Sequence, residues 1–151
     1  MIEVEVDDEA WQDAVADVAG VVERAASVAL GDTEGDVVVL LADDAHVQQI
    51  NAQFRDKDRP TNVLSFPAPD SARPHLGDLI LAYGVCAAEA AEQGKSLSDH
   101  LSHMTVHGVL HLLGHDHEID NEAEAMEAEE RRLLASLGIA DPYSVDEPDR
   151  A

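Results

Sequence analysis

Lysine and arginine are scarce in this chain: nine among 151 residues, against 32 aspartates and glutamates, for a formal charge of −23. That balance excludes a protein that holds nucleic acid by a general positive field, so any anionic substrate has to be gripped locally. Cysteine is rarer still. The lone Cys86 rules out an internal disulfide and fits a reducing compartment. No apolar run reaches the length needed to span a bilayer. The opening Met1-Ile2-Glu3-Val4-Glu5-Val6 alternates in polarity where a signal peptide would run from basic to apolar, so none is expected and the cytoplasm is the default. Internal repeats are lacking too, and 151 residues at 45% apolar composition are most simply one domain with a real core.

What the chain does have is histidine, concentrated in one place. Six of its eight histidines lie between His100 and His117, and the stretch His107-Gly108-Val109-Leu110-His111-Leu112-Leu113-Gly114-His115-Asp116-His117 organises the rest. On a helix, residues four apart stand one turn above one another and about 40° apart around the axis, so the rings of His107 and His111 can reach one cation. Gly114 then ends the helix, because glycine takes the left-handed conformation cheaply and turns the chain back toward His117. Three imidazoles with an open fourth position suit a catalytic zinc better than a closed structural one. The spacing matches the H-E-x-x-H-x-x-G-x-x-H pattern of metzincin proteases at each histidine and at the glycine. Gly108 stands where those proteases carry their glutamate, so the ligand geometry is kept and the general base is lost. His103 lies one turn before His107 and is placed to support a ligand from behind. His100, His103 and His115 nonetheless read more readily as ordinary histidines.

Along the chain, Ile2 to Val6 reads as a strand and the spacing of Trp11, Val15, Val18, Val22 and Ala26 as one helix closed by Gly31. Val37 to Leu41 reads as a strand buried on both faces, and Asp43 caps a short helix with Val47, Ile50 and Phe54 facing inward. Thr61 to Phe66 is a third strand, ending at Pro67, and Leu76 to Tyr83 a fourth, in which Gly77 permits close backbone approach and Asp78 serves a turn. An alanine-rich helix, Val85 to Gln93, ends at Gly94. Ser96-x-x-Asp99 is a capping box that starts the histidine helix. A last helix keeps an apolar stripe of Met126, Leu133, Leu134 and Leu137, with a solvated acidic face, up to Gly138. Residues 139–151 are expected to be a loose acidic tail. The alternation of strands and helices points to an α/β or α+β layered fold. Arg55, Lys57 and Arg59 are three of the nine basic residues. Charge placement favours a phosphate-gripping role for Arg55, whose guanidinium forks onto phosphate oxygens, and a solvated loop for the other two.

Three stretches together resemble the YbeY family of bacterial metal-dependent endoribonucleases, also described as rRNA maturation factors. They are H-G-V-L-H-L-L-G-H-D-H at 107–117, F-R-D-K-D-R-P-T-N-V-L-S-F-P at 54–67 and L-G-D-L at 76–79, in the family's order across roughly residues 36–138. The resemblance implies a single α/β (α+β) domain over residues 1–138, with a mixed four-stranded sheet, surrounding helices and a three-histidine metal site at a cleft. It implies one zinc ion on His107, His111 and His117, and Arg55 in the cleft as the catalytic side chain that helps with RNA. The implied role is cleavage of single-stranded RNA in maturation of the small-subunit rRNA 3′ end and in ribosome quality control. The implied partners are rRNA, the small ribosomal subunit and its assembly proteins, with neither DNA nor membrane. His115 stands where the family more often has tyrosine.

The residues leave some of the chemistry open. Gly108 cannot move a proton, so the nucleophile is either a water or the RNA 2′-hydroxyl, and the two leave different product ends. Two other functions compete with the nuclease. One is a metzincin-like hydrolase or protease, although no Met-turn sequence follows His117. The other is a non-enzymatic assembly factor with a structural zinc, whose acidity suits basic protein surfaces.

Overall fold

Ile2, Val4 and Val6 are partly buried while Glu3 and Glu5 are exposed, and this alternation makes β1 (Ile2–Val6). In the computed structural model, which describes residues 1–57, 61–114 and 120–143, β1 lies parallel to β2 (Asp36–Ala42). β2 lies parallel to β4 (His75–Ala82), and β3 (Val63–Pro67) runs antiparallel to β4 at the edge. The order β1-β2-β4-β3 is the expected mixed four-stranded sheet.

Because side chains alternate across a strand, the two faces of the sheet serve different layers. Val37, Val39, Leu41, Leu79 and Leu81 enter the main core, which α2 (Val18–Leu30), α5 (Leu97–Leu112) and α6 (Asp120–Ser136) complete. Leu64, Ile80 and Ala82 point the other way, into a smaller cluster with Val47 of α3 (Asp44–Arg55). The helix α4 (Tyr83–Gln93), stopped by Gly94 in the left-handed conformation, packs against α5. Among the described residues no helix is long and apolar enough to cross a membrane.

Several local expectations give way to tertiary packing. In place of one helix before Gly31 the chain makes two, α1 (Ala10–Ala14) and α2, parted by Val15 in an extended conformation and Asp17 in the left-handed one. Aspartate is among the few residues that tolerate that conformation. The break still leaves Trp11, Val15, Val18, Val22 and Ala26 all buried. Trp11 Nε1 donates to the Ala42 carbonyl (3.0 Å) and its ring meets Tyr83 edge-on, so α1 is pinned to the end of β2. Between Val37 and Leu41, β2 is fully buried only on the α5 face. Val38 and Leu40 are half-buried, because the cover on that side is incomplete and leaves a cavity of about 420 Å³ against Val38, Leu40, Phe54 and Phe66. Phe54, expected to face inward, is 65% exposed and meets only the edge of Phe66 in that last turn of α3. Asp78 lies inside β4, opposite Val38 and Phe66, and not at a turn.

The start of the expected loose tail is anchored. Ile139 donates its N–H to the Leu134 carbonyl and packs on the core. Asp141 pairs with Arg131, and Tyr143 reaches back to Glu130. Residues 144–151 lie outside the described residues.

Gly77 lets α5 approach the sheet. With φ at +155°, a Cβ there would stand 2.6 Å from both the Phe66 carbonyl oxygen and Leu112 Cδ2. Gly77→Ala is therefore expected to destabilise the protein by about 1–3 kcal/mol, read as a lower urea midpoint at unchanged m-value. An unaltered midpoint would show that α5 and β4 are not in enforced contact.

Candidate metal centre

The histidines are carried by α5, whose start is fixed as its sequence suggests: Ser96 Oγ accepts from the Asp99 N–H at 3.0 Å. Leu101, Val106, Val109 and Leu110 are buried and seat the helix in the core, which makes it a rigid base for the histidines it carries. His107 and His111 stand one turn apart with ring centroids 4.8 Å from each other and planes at 78°. Gly114 follows at φ +101°, its N–H on the His111 carbonyl, so the helix ends where the glycine predicts. His115 and His117 lie outside the described residues. Among the described residues no three histidine, cysteine, aspartate or glutamate side chains gather as a metal-binding group.

Gly108 explains itself in this setting. A Cβ on it would meet Leu79 Cδ2 at 2.7 Å, because α5 lies directly on β4 at that point. Ser65 Oγ donates to its carbonyl from the neighbouring strand at 3.5 Å. The place where a metzincin carries its base is here packed into the core.

The decisive neighbour of the histidines comes from α6. Glu130 is fully buried. Its Oε2 accepts from His107 Nδ1 at 2.7 Å and its Oε1 from His103 Nε2 at 2.9 Å. The Tyr143 hydroxyl also donates to Oε1, at 2.5 Å. Burial pushes the carboxyl pKa up, but the hydrogen bonds from His103, His107 and Tyr143 outweigh it and hold it down to about 2. Burial, and then Glu130 itself, push the Tyr143 phenol well above its ordinary range, so it remains a donor. An ionised carboxylate only accepts. Both rings must therefore present N–H to it, which puts the proton of His107 on Nδ1 and its lone pair on Nε2 when the ring is neutral.

This arrangement fits a metal. The ion pairs of Glu130 among the described residues are with His103 and His107 alone, with no lysine or arginine. When both rings are neutral, they and the phenol satisfy its hydrogen bonds but bring no net positive charge, and a buried carboxylate calls for one. A cation on the Nε2 side of His107 supplies it, in the carboxylate–histidine–metal relation common to such centres.

Glu130 was hidden in the acidic run of α6, whose polar face reads as solvated. A signal was present all the same: Glu130 falls four residues after Met126 and three and four before Leu133 and Leu134, squarely on the apolar stripe. A carboxylate on a buried stripe demands partners. His103, which sequence places behind His107, does meet the same carboxylate as His107. His100 is a separate case: its Nε2 meets Glu89 Oε1 at 2.8 Å, and burial lowers its pKa against the pull of that carboxylate. Glu89 in turn accepts from the Asn62 amide at the start of β3. Arg55 is the last residue of α3, on the opposite face of the sheet from α5, and its side chain lies outside the described residues.

A family model described as Endoribonuclease YbeY matches residues 2–138. A protein named Endoribonuclease YbeY from Chelativorans sp. (strain BNC1) is 53% identical over 134 residues, covering 83% of this chain and 82% of that one. Its namesake from Paramagnetospirillum magneticum is 50% identical over 155 aligned positions, with 94% of each chain covered. The solution structure of TM1509 from Thermotoga maritima superposes with a TM-score of 0.63 at 25% identity, covering 91% of this chain and 89% of that one. With its matched region reaching from β1 to the end of α6 and half of its residues shared with such relatives, the chain belongs to the YbeY endoribonuclease family.

Proposed function

We propose that this protein is a zinc-dependent endoribonuclease specific for single-stranded RNA. In this reading it acts in the cytoplasm on rRNA, in maturation of the small-subunit rRNA 3′ end and in ribosome quality control. Residues 1–138 form the catalytic domain. His107, His111 and His117 hold the ion, and Arg55 grips the scissile phosphate. The observation that carries the proposal is the pair of imidazoles one turn apart, one of them held by a buried carboxylate, in a chain whose relatives are named endoribonucleases.

The metal, when bound, supplies Lewis-acid charge at the phosphodiester and lowers the pKa of a water. The chain's own residues do the rest. Glu130 fixes the tautomer and orientation of His107. The Arg55 guanidinium forks onto phosphate oxygens and offsets the charge that grows there in the transition state. In a chain of charge −23, that grip has to be local. The partners are the small ribosomal subunit and its assembly proteins, whose basic surfaces suit the acidity of this chain. A protease finds no support, since position 108 is closed by Leu79.

Purified side by side, zinc-loaded wild type is expected to cut a small-subunit rRNA precursor fragment and folded His111→Ala to leave it whole. Equal cutting by both removes the catalytic assignment, and so does cutting by neither even with whole ribosomes supplied. Arg55→Ala is expected to keep its zinc and to lose about 100- to 1000-fold in single-turnover cleavage rate. Zinc at about 100 times its Kd adds about 2.7 kcal/mol of stability, a rise in Tm of about 5–10 °C for a chain of this size. Calorimetry should show that rise in wild type, its reversal by chelator, and its loss in His111→Ala.

A further inference from the structure

Beyond the residues that touch metal or RNA, one side chain from the end of the chain reaches the centre. Gly138 and Ile139 turn the backbone sharply at the end of α6, their N–H groups on the Ala135 and Leu134 carbonyls. The turn brings the segment Asp141 to Tyr143 back beside the helix it has just left. Tyr143 is framed there from three sides. Asp141 Oδ1 accepts from the Tyr143 N–H at 2.8 Å and from Arg131 Nε at 3.2 Å. The Arg131 guanidinium lies 5.3 Å from the centre of the Tyr143 ring, and His103 meets that ring edge-on at 5.4 Å. The hydroxyl held by this frame donates to Glu130 Oε1, on the oxygen that His103 shares and opposite the one that takes His107.

We propose that Tyr143 is a positioning residue of the metal centre: it clasps Glu130 in the orientation that presents Oε2 to His107, and so ties metal retention to the segment Asp141–Tyr143. The proposal rests on the metal reading given above. Its physical basis is that a carboxylate has one soft torsion at its end. With His103 alone on Oε1 a single bond opposes rotation on that side; the Tyr143 hydroxyl adds a second bond to the same oxygen, so turning Oε2 away from His107 breaks two hydrogen bonds around a buried carboxylate and not one. The ring of Tyr143 contacts His103, so the hydroxyl acts on the ligand His107 through Glu130.

The test is zinc affinity of the full chain, measured by competition with a chromophoric chelator. Alongside it, 15N spectra of the histidine rings report the tautomer of His107. Tyr143→Phe keeps the ring and removes one donor, and is expected to weaken zinc binding about 10-fold, with Glu130→Gln nearer 100-fold. In zinc-loaded Tyr143→Phe, the His107 Nδ1–H signal should broaden or shift relative to wild type. Tyr83→Phe, which removes a hydroxyl from a ring packed on Trp11, should leave both readouts unchanged. If wild type binds zinc and Tyr143→Phe binds it equally tightly with the same His107 signal, the clasp is wrong even if the variant is less stable. If wild type takes up no zinc, the metal reading and the clasp fall together.

Discussion

A carboxylate removed from water must be hydrogen-bonded on both oxygens, and one such group in this fold forms no ion pair with lysine or arginine among the described residues. Glu130 sits fully buried between α5, α6 and the segment that follows α6. To satisfy it, α6 must pack on α5 at the height of His103 and His107, and the chain after Gly138 must double back. The same demand sets which ring nitrogen of His107 presents its N–H to the carboxylate. With both rings neutral, this arrangement would carry an unbalanced negative charge in the interior; beside a cation it becomes complementary. Packing and ligand orientation are thus two readings of a single electrostatic requirement.

The second constraint is the contact of α5 with the sheet. Gly108 lets the helix settle against Leu79, and Gly77 lets β4 slide beneath Leu112. These two absent side chains bring the helix close to β4 and fix how deeply it sits on the sheet. α3 occupies the other face with a far smaller core, and it fails to cover Val38 and Leu40. One face of the sheet is thereby built for rigidity and the other is left partly open.

Much of this was legible in the sequence. Alternation marked β1, the capping box marked the first turn of α5, and glycines marked the ends of α2, α4 and α5, because those signals are local and depend on few neighbours. The i, i+4 histidines could be placed on one helix face for the same reason. What escaped depended on remote partners. The break at Val15 to Asp17 accompanies the anchoring of Trp11 on the Ala42 carbonyl, thirty-one residues away, which no local pattern reveals. The exposure of Phe54 follows from how little lies beneath the last turn of α3. Glu130 resembled its acidic neighbours until its phase on the apolar stripe was weighed. The tail looked idle because proline and aspartate carry little to bury, whereas its start is anchored by Ile139, Asp141 and the Tyr143 phenol. His117 and the Arg55 side chain, which complete the site as read from sequence, lie outside the described residues.

The packing of Gly108 on Leu79 also bears on how such a centre can change over time. Leu79 is fully buried and sits in the sheet between Val39 and Ser65. A glutamate at position 108 would need Leu79 to shrink, and a smaller residue there would leave a void between three strands and a helix. A change from Gly108 to glutamate is thus coupled to a rearrangement of Leu79 in the core. The identity of the reaction is guarded by the interior of the protein, several residues away from any group that takes part in it.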